Sequence, residues 1–311
     1  MRELQDIIQI VHSHPGPLAL ATLVGVEGSS YRRPGSRLLL DASGPLRGSL
    51  SGGCLEGDIQ ARAGEVLAER QPRLVSYDLR DDRDLLWGSG SGCEGLLKIL
   101  VEPLHGFPEW MSWIEATWQQ RRTLTIQTDL SPEGLGARSN DRRADDPGLA
   151  FTETFLPPPM LWILGAGDDS RPLVRMAKEL GWFVGVLDHR PAFARSERFP
   201  LADVVRSGAM EALTRDLPQD NRCAVVLMTH NYGKDLEALR LLLPLRLGYL
   251  GLMGSHRRGD KLLQELGAEG IFAGPRFHTP VGLQIGANSP ETIALAILAE
   301  VQATLAAGTG A

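Results

Sequence analysis

Two cysteines lie in glycine loops, and these are the residues best suited to chemistry. In Ser51-Gly52-Gly53-Cys54-Leu55-Glu56-Gly57-Asp58 the thiol of Cys54 stands at the start of an expected helix. The partial positive charge of a helix start and its unpaired N–H groups favour a thiolate there. Gly52 and Gly53 leave room for a ligand to approach the backbone. Glu56 and Asp58 act in the opposite sense, because a nearby carboxylate opposes a negative sulfur. Cys93 ends a second loop, Gly88-Ser89-Gly90-Ser91-Gly92-Cys93, and is followed by Glu94. Two such thiols are soft ligands for a metal centre, a dithiol couple, or small residues buried in tight turns. Cys223, inside the apolar run Cys223–Met228, reads as a core residue. A zinc site is not expected, since there is no Cys-x-x-Cys pair and the seven histidines lack ligand spacing. Upstream, Glu27 to Gly35 gathers Ser30, Arg32 and Arg33 into one turn. It reads either as a solvated hairpin turn or as a contact for a phosphate or pterin near Cys54.

A second set of candidates surrounds the turn in Leu161-Trp162-Ile163-Leu164-Gly165-Ala166-Gly167-Asp168-Asp169-Ser170. Strand, glycine turn and helix stand where a dinucleotide fingerprint belongs, with Gly165 making the turn and Gly167 admitting a pyrophosphate. Asp188, about 20 residues on, occupies the usual ribose position. The third glycine is replaced by Ser170, and Asp168 and Asp169 place two carboxylates where a diphosphate would rest. NAD(P) is therefore a weak expectation. Polar residues recur after the later strands: Thr229-His230-Asn231-Tyr232, then Gly254-Ser255-His256-Arg257-Arg258, then Asn288-Ser289-Pro290-Glu291. Ser289 and Pro290 have the form of a helix cap. Together these segments suit an anionic or phosphorylated ligand.

The pattern of elements must put these residues in reach of one another. The spacing predicts a helix over 2–13, a strand-like run Leu18–Val26, a second over Arg37–Leu40, a third short run and a helix Leu55–Glu69. Leu96–Val101, a helix near 109–120 and Leu124–Thr128 follow. Residues 129–159, rich in Gly, Pro, Ser, Asp and Arg and closed by Pro157-Pro158-Pro159, read as a linker. The second half alternates strands at Leu161–Leu164, Phe183–Leu187, Val204–Arg206, Cys223–Met228 and Tyr249–Leu252 with helical patterns. Strands apolar at every position are those of a parallel sheet covered on both faces. The expectation is thus an α/β protein: an N-terminal α+β domain (1–128), a linker (129–159) and a Rossmann-like doubly wound parallel sheet (160–311).

The chain has 311 residues, a formal net charge of −6 and 43% hydrophobic residues. An acidic balance gives no reason to expect nucleic acid or an anionic membrane surface. No apolar run approaches the roughly 20 residues of a membrane span, and the N-terminus lacks the form of a secretory signal. Three cysteines in such a length do not make a disulfide framework. The expected location is the cytoplasm.

Taken together, VEGSSYRRPGSRLLL, SGGCLEGD, GSGSGCEG, ILGAGDDSRPLVRMAKELGWFVGVLDHRP, LMTHNYGKDLEALR, YLGLMGSHRR and HTPVGLQIGANSPETIALAILAE resemble the xanthine dehydrogenase accessory proteins, the XdhC/CoxI family. The resemblance covers nearly the whole chain outside 129–159. It implies a chaperone that binds the molybdenum cofactor (molybdopterin), protects it around its sulfuration and delivers it to an apo-enzyme of the xanthine dehydrogenase type, without turnover of its own. It implies a cysteine desulfurase as a further partner, and a homodimer. Cys54 and Cys93 match the family's motif cysteines. On this reading Cys54 contacts the molybdenum, in a cleft between the halves. Ser30, Arg32, Arg33, Ser51, Gly52, Gly53 and Glu56 line the cofactor from the first half. Gly165, Gly167, Asp168, Asp188, His230, Asn231, Ser255, Arg257 and Asn288 line it from the second. The alternatives are an NAD(P)-dependent oxidoreductase, a dithiol redox protein using Cys54 and Cys93, and an adaptor with an empty cleft.

Overall fold

Alternation within one strand organises the first half. In β1 (Leu18–Gly28), Ala19, Ala21 and Leu23 turn to one face of a sheet while Leu18 and Leu20 turn to the other. Both faces are therefore covered. The computed structural model describes residues 2–79, 95–140 and 149–308; Cys93, its glycine loop and Glu94 lie outside them. β1 pairs antiparallel with β2 (Arg37–Asp41) and β5 (Gly95–Leu104), while β3 (Gly44–Gly48) and β4 (Arg73–Asp78) complete the order β3-β2-β1-β5-β4. On one face lies α2 (Glu56–Glu69), which buries Ile59, Ala63 and Val66. On the other lie α1 (Arg2–Ser13) and α3 (Glu109–Gln119).

The stretch 129–159 does not act as a linker. β6 (Leu124–Asp129) pairs with β7 (Arg138–Ser139) and β8 (Ala150–Phe155) in a three-stranded sheet, whose Ile126 and Phe155 join the core under α1 and α3. The chain divides into two compact units only between Pro157 and Pro158. Two part-buried ion pairs tie the small sheet down: Arg37 of β2 to Glu153 of β8, and Arg138 of β7 to Glu102 of β5. Both guanidinium groups lie over the Trp110 ring, at 5.8 and 4.5 Å from its centroid. Hydrophobic periodicity cannot register a segment anchored by charge.

The second unit is a parallel sheet. β9 (Met160–Leu164), β10 (Phe183–Asp188), β11 (Val204–Ser207), β12 (Cys223–Leu227), β13 (Tyr249–Leu252) and the short β14 (Phe277–His278) run in the order β11-β10-β9-β12-β13-β14. The order reverses between β9 and β12, the switch point at which doubly wound sheets bind ligands. α4 (Ser170–Glu179) and α8 (Pro290–Ala307) cover one face; α5 (Met210–Thr214), α6 (Tyr232–Leu242) and α7 (His256–Ala268) cover the other. By length and composition α8 is apolar enough to cross a membrane. Its Ala294, Ile297, Leu298, Val301 and Leu305 instead pack into the core against the sheet.

Candidate functional site

In the first unit the candidates gather at one end of the five-stranded sheet. Pairing sets this placement: Gly28 at the end of β1 faces Gly95 at the start of β5, and Leu38 in β2 faces Gly48 at the end of β3. The Ser30–Arg33 turn and the Ser51–Cys54 loop thus leave the sheet at the same edge. They touch, since a Cβ on Gly52 would lie 3.6 Å from the Tyr31 ring. A Cβ on Gly95 would lie 2.6 Å from the Ser29 carbonyl oxygen, so β5 starts at this edge as well.

The Ser51–Cys54 loop is built around Glu56, the first residue of α2. Its carboxylate accepts from Ser49 Oγ (2.9 Å), Leu50 N (3.2 Å), Ser51 N (3.1 Å), Ser51 Oγ and Gly53 N (2.9 Å). The positive φ of Gly53, 123°, belongs to this turn. Burial alone would raise the Glu56 pKa, but the hydrogen bonds from Ser51 and Ser49 outweigh it and hold the group at about 2. Glu56 therefore shapes the loop from within. The amides of Ser51 and Gly53 serve it, and that of Gly52 donates to Ser49 Oγ at 3.3 Å, so these amides are not left over for a phosphate. Cys54 is exposed and free; its Sγ donates weakly to the Ser51 carbonyl at 3.5 Å. The loop presents a thiol to solvent on a fixed frame. Arg32 and Arg33 have no acidic partner among the described residues, and the Arg32 guanidinium lies 5.8 Å from the Tyr31 ring centroid. They are the positive charge at this edge.

One prediction follows from Glu56. Its folded pKa is depressed, so its stabilisation is complete above the ordinary carboxylate value of about 4.3 and is lost as the pH falls through about 2. Glu56→Gln should lower stability at neutral pH by about 1.5–3 kcal/mol, the range for hydrogen bonds to a charged group. In urea melts the gap between wild type and variant should be constant above pH 5 and narrow below pH 4. A gap that does not change with pH would remove the carboxylate from the frame.

In the second unit the candidates stand at the carboxyl ends of the strands, but many are engaged with one another. Gly165 has φ 129°, and a Cβ there would lie 2.2 Å from the Met228 carbonyl oxygen, because the turn after β9 presses on the end of β12. Ser170, in the third glycine's place, donates Oγ to the Gly165 carbonyl at 2.6 Å. Asp188 has no exposed side-chain surface. It accepts from Ala166 N (2.7 Å) and Arg190 N (2.8 Å), and from the Arg190 guanidinium at 2.9 and 2.8 Å. Burial would raise its pKa, yet the Arg190 and Ala166 bonds lower it on balance. Its oxygens are spent inside the protein, so the ribose role expected of Asp188 is not supported by its geometry. At the helix start Asp168 pairs with Arg198 (2.9 Å), and Asp169 meets His230 Nε2 at 2.8 Å. The latter pair joins the turn after β9 to the segment after β12. His230 itself has φ 55°, unusual for a residue with a side chain.

Two further candidates, Asn231 and Ser255, are helix caps, and a third, Asn288, precedes one. Asn231 accepts from Lys234 N and starts α6, Ser255 accepts from Arg258 N and starts α7, and the Asn288–Ser289 step opens α8 with a capping box between Ser289 and Thr292. Arg258, which follows the candidate Arg257, pairs with the buried Asp235, which also accepts from Thr229 Oγ1 at 2.5 Å. Arg257 is exposed and has no acidic partner among the described residues. Sequence reasoning missed Arg190 and Arg198. Both lie in the HRPAFARSER segment after β10, where only the density of basic residues hinted at them.

Beside His230 lies a cleft of about 420 Å³. Its walls come from the end of β13, the 280–287 segment and the start of α8. Another cleft, about 300 Å³, lies by the amino ends of β13 and β14, away from the strand ends that bind ligands in this architecture.

Comparison with known proteins agrees with this arrangement. Residues 12–78 match the XdhC and CoxI family, and residues 161–301 match the XdhC Rossmann domain. The chain is 32% identical to a protein of Bacillus subtilis (strain 168) named as a probable xanthine dehydrogenase subunit, covering 91% of each. It is 24% identical to the molybdenum cofactor insertion chaperone PaoD of Escherichia coli (strain K12), over 91% of this chain and 81% of that one. A crystal structure described as a xanthine dehydrogenase from Bacillus halodurans superposes with a TM-score of 0.85 at 30% identity, over 99% of this chain and 96% of that chain. Two domain matches in the expected order, with a relative similar along nearly its whole length, place the chain in the XdhC and CoxI family.

Proposed function

We propose that this protein carries the molybdenum cofactor to an apo-enzyme of the molybdenum hydroxylase class, shielding it on the way and turning over no substrate of its own. The carrying observation is the exposed Cys54 thiol on a loop whose shape Glu56 sets, beside the Arg32–Arg33 turn. A thiolate is a soft ligand suited to a molybdenum–sulfur centre. Arginine suits the cofactor's phosphate, a contact the loop amides do not offer. The name of the PaoD relative, a cofactor insertion chaperone, supports the same reading. The proposal includes a xanthine dehydrogenase-like client, a cysteine desulfurase that supplies sulfur to the bound cofactor, and a cytoplasmic homodimer. NAD(P) is not part of it: two carboxylates, Asp168 and Asp169, stand at the turn that would hold a diphosphate, and Asp169 is paired with His230.

The test is retention. Purified protein is incubated separately with molybdenum cofactor and with NAD, desalted, and assayed for what stays bound. The cofactor should be retained and NAD lost. Cys54→Ala should weaken cofactor retention at least tenfold, about 1.4 kcal/mol, with no change in thermal stability. NAD retained in preference to the cofactor would overturn the proposal, and undiminished retention by Cys54→Ala would remove the thiol from it.

A further inference from the structure

We infer that the cleft at the amino ends of β13 and β14 binds a small amphiphilic carboxylate, whose apolar body lies on a leucine floor and whose head meets Arg246 and Arg276 at the rim. All the residues that line it belong to the second unit. The inference does not depend on the carrier reading above, and its ligand is not the cargo.

The cleft forms where the chain leaves α6 and turns back into the sheet. Leu245 N donates to the Leu242 carbonyl at 3.0 Å, Leu247 N to the Leu245 carbonyl at 3.1 Å, and Gly248 N to the Cys223 carbonyl at 2.8 Å. A Cβ on Gly248 would lie 2.3 Å from the Asn221 carbonyl oxygen, so this turn is pressed against the start of β12. On the other side Leu250 N donates to the Arg276 carbonyl at 2.9 Å, and Phe277 N to the Gly274 carbonyl at 3.1 Å. Backbone bonds therefore fix both walls, and a preformed site loses little affinity to ordering.

Floor and rim differ in character. Leu242, Leu247 and Leu250 are 0%, 5% and 4% exposed and make the floor. The volume, about 300 Å³, stands at the lower end of small-molecule pockets, enough for one ring or a short chain. Arg246, Arg276 and Asn221 supply the polar side chains, and no Asp, Glu or Lys lines the cleft. Arg246 is exposed and has no acidic partner among the described residues. Arg276 Nη1 donates to Asn221 Oδ1 at 2.8 Å and to the Leu247 carbonyl at 3.2 Å. Both acceptors are neutral: they orient the guanidinium without answering its charge. Its Nε and Nη2, the edge that grips a carboxylate with two parallel bonds, make no hydrogen bond among the described residues. In the same unit Arg190, Arg198, Arg240 and Arg258 each find a carboxylate.

Two uncompensated positive charges above an apolar floor select an anion with an apolar body. A bare anion would leave the leucines in water, and an uncharged apolar molecule would leave the guanidinium groups unanswered. A carboxylate carries a single charge on a planar head, which suits the arginine fork without setting a second charge against leucine. The position also sets the site apart, because Gly165, Asp169 and His230 stand at the opposite ends of the strands.

The experiment titrates the full-length protein with phenylbutyrate, followed by ligand-observed NMR. Phenylbutyramide keeps the body and removes the charge, and acetate keeps the head and removes the body. Phenylbutyrate should bind saturably at one site per chain, the other two at least tenfold more weakly. Arg246→Glu should bind phenylbutyrate at least tenfold more weakly while melting at the wild-type temperature, since its side chain makes no ion pair in the fold. Gly274→Phe, on the cleft wall where an added Cβ meets nothing within 4 Å, should weaken binding as much. Arg206→Glu makes the same charge change on β11, at the far edge of the sheet, and should bind like the wild type. Absence of saturable binding to the wild type, equal binding of the amide, or wild-type binding by Arg246→Glu or Gly274→Phe would each overturn the site. Equal losses in Arg246→Glu and Arg206→Glu would overturn it too, because net charge alone would then account for the binding. Where Gly274→Phe melts early, Arg246→Glu decides.

Discussion

Gly165→Ala should destabilise the second unit by about 4 kcal/mol or more. The added Cβ would lie 2.2 Å from the Met228 carbonyl oxygen and 2.9 Å from Thr229 N, and both of these are backbone atoms. No rotamer change relieves that clash. The φ of 129° adds strain that only glycine avoids. Left-handed strain of about 1–3 kcal/mol and overpacking of about 1–3 kcal/mol act together here. For a unit of this size the loss should lower the melting transition by roughly 8–16 °C. Differential scanning calorimetry would show it. A shift below 2 °C would mean that the turn after β9 can move away from β12.

Arg37→Met should also be damaging in the first unit. Arg37 is buried and bidentate to Glu153, and it packs between the Trp110 and Phe155 rings. Removing one member of a fully buried pair costs about 3–5 kcal/mol; Glu153 keeps part of its side chain exposed, so stranding it should cost about 3 kcal/mol or less. The double variant Arg37→Met, Glu153→Leu should recover much of the loss, because replacing both charges with apolar groups is often neutral. Urea denaturation of the two singles and the double closes the cycle. A double variant no better than Arg37→Met would show that the guanidinium acts through ring packing and not through its pairing with Glu153.

These two sites also mark where sequence reasoning succeeds and fails. The second unit is legible because each signal is local. AVVL in β12 is apolar at every position, Gly165 follows a strand, and Ser289-Pro290 opens α8 with a cap the structure confirms. The 129–159 stretch misleads because its evidence is remote: Glu153 stands 116 residues from Arg37, and Glu102 stands 36 from Arg138. β4 also escapes the pattern. It is an edge strand with only Tyr77 buried, so its alternation is faint. The candidate site divides the same way. The edge that gathers Ser30, Arg32 and Cys54 follows from hairpin order. That Glu56 would take the loop amides, or that Asp188 would turn inward to Ala166 and Arg190, depends on competition among acceptors, which a string of letters does not rank. The cleft beside His230 is invisible in the sequence because its walls are mostly ordinary aliphatic residues from separate segments.

A carrier is judged by how readily it lets go. A loop whose backbone donors were met only by a guest would lose those partners when the guest left, and buried donors without partners are costly. Here the carboxylate of Glu56 permanently plays the guest's part toward the surrounding donors. On the carrier reading proposed above, departure of a cargo from the Cys54 sulfur would leave these bonds as they were, and transfer to a client would turn on the sulfur–metal contact and on what the client offers in exchange.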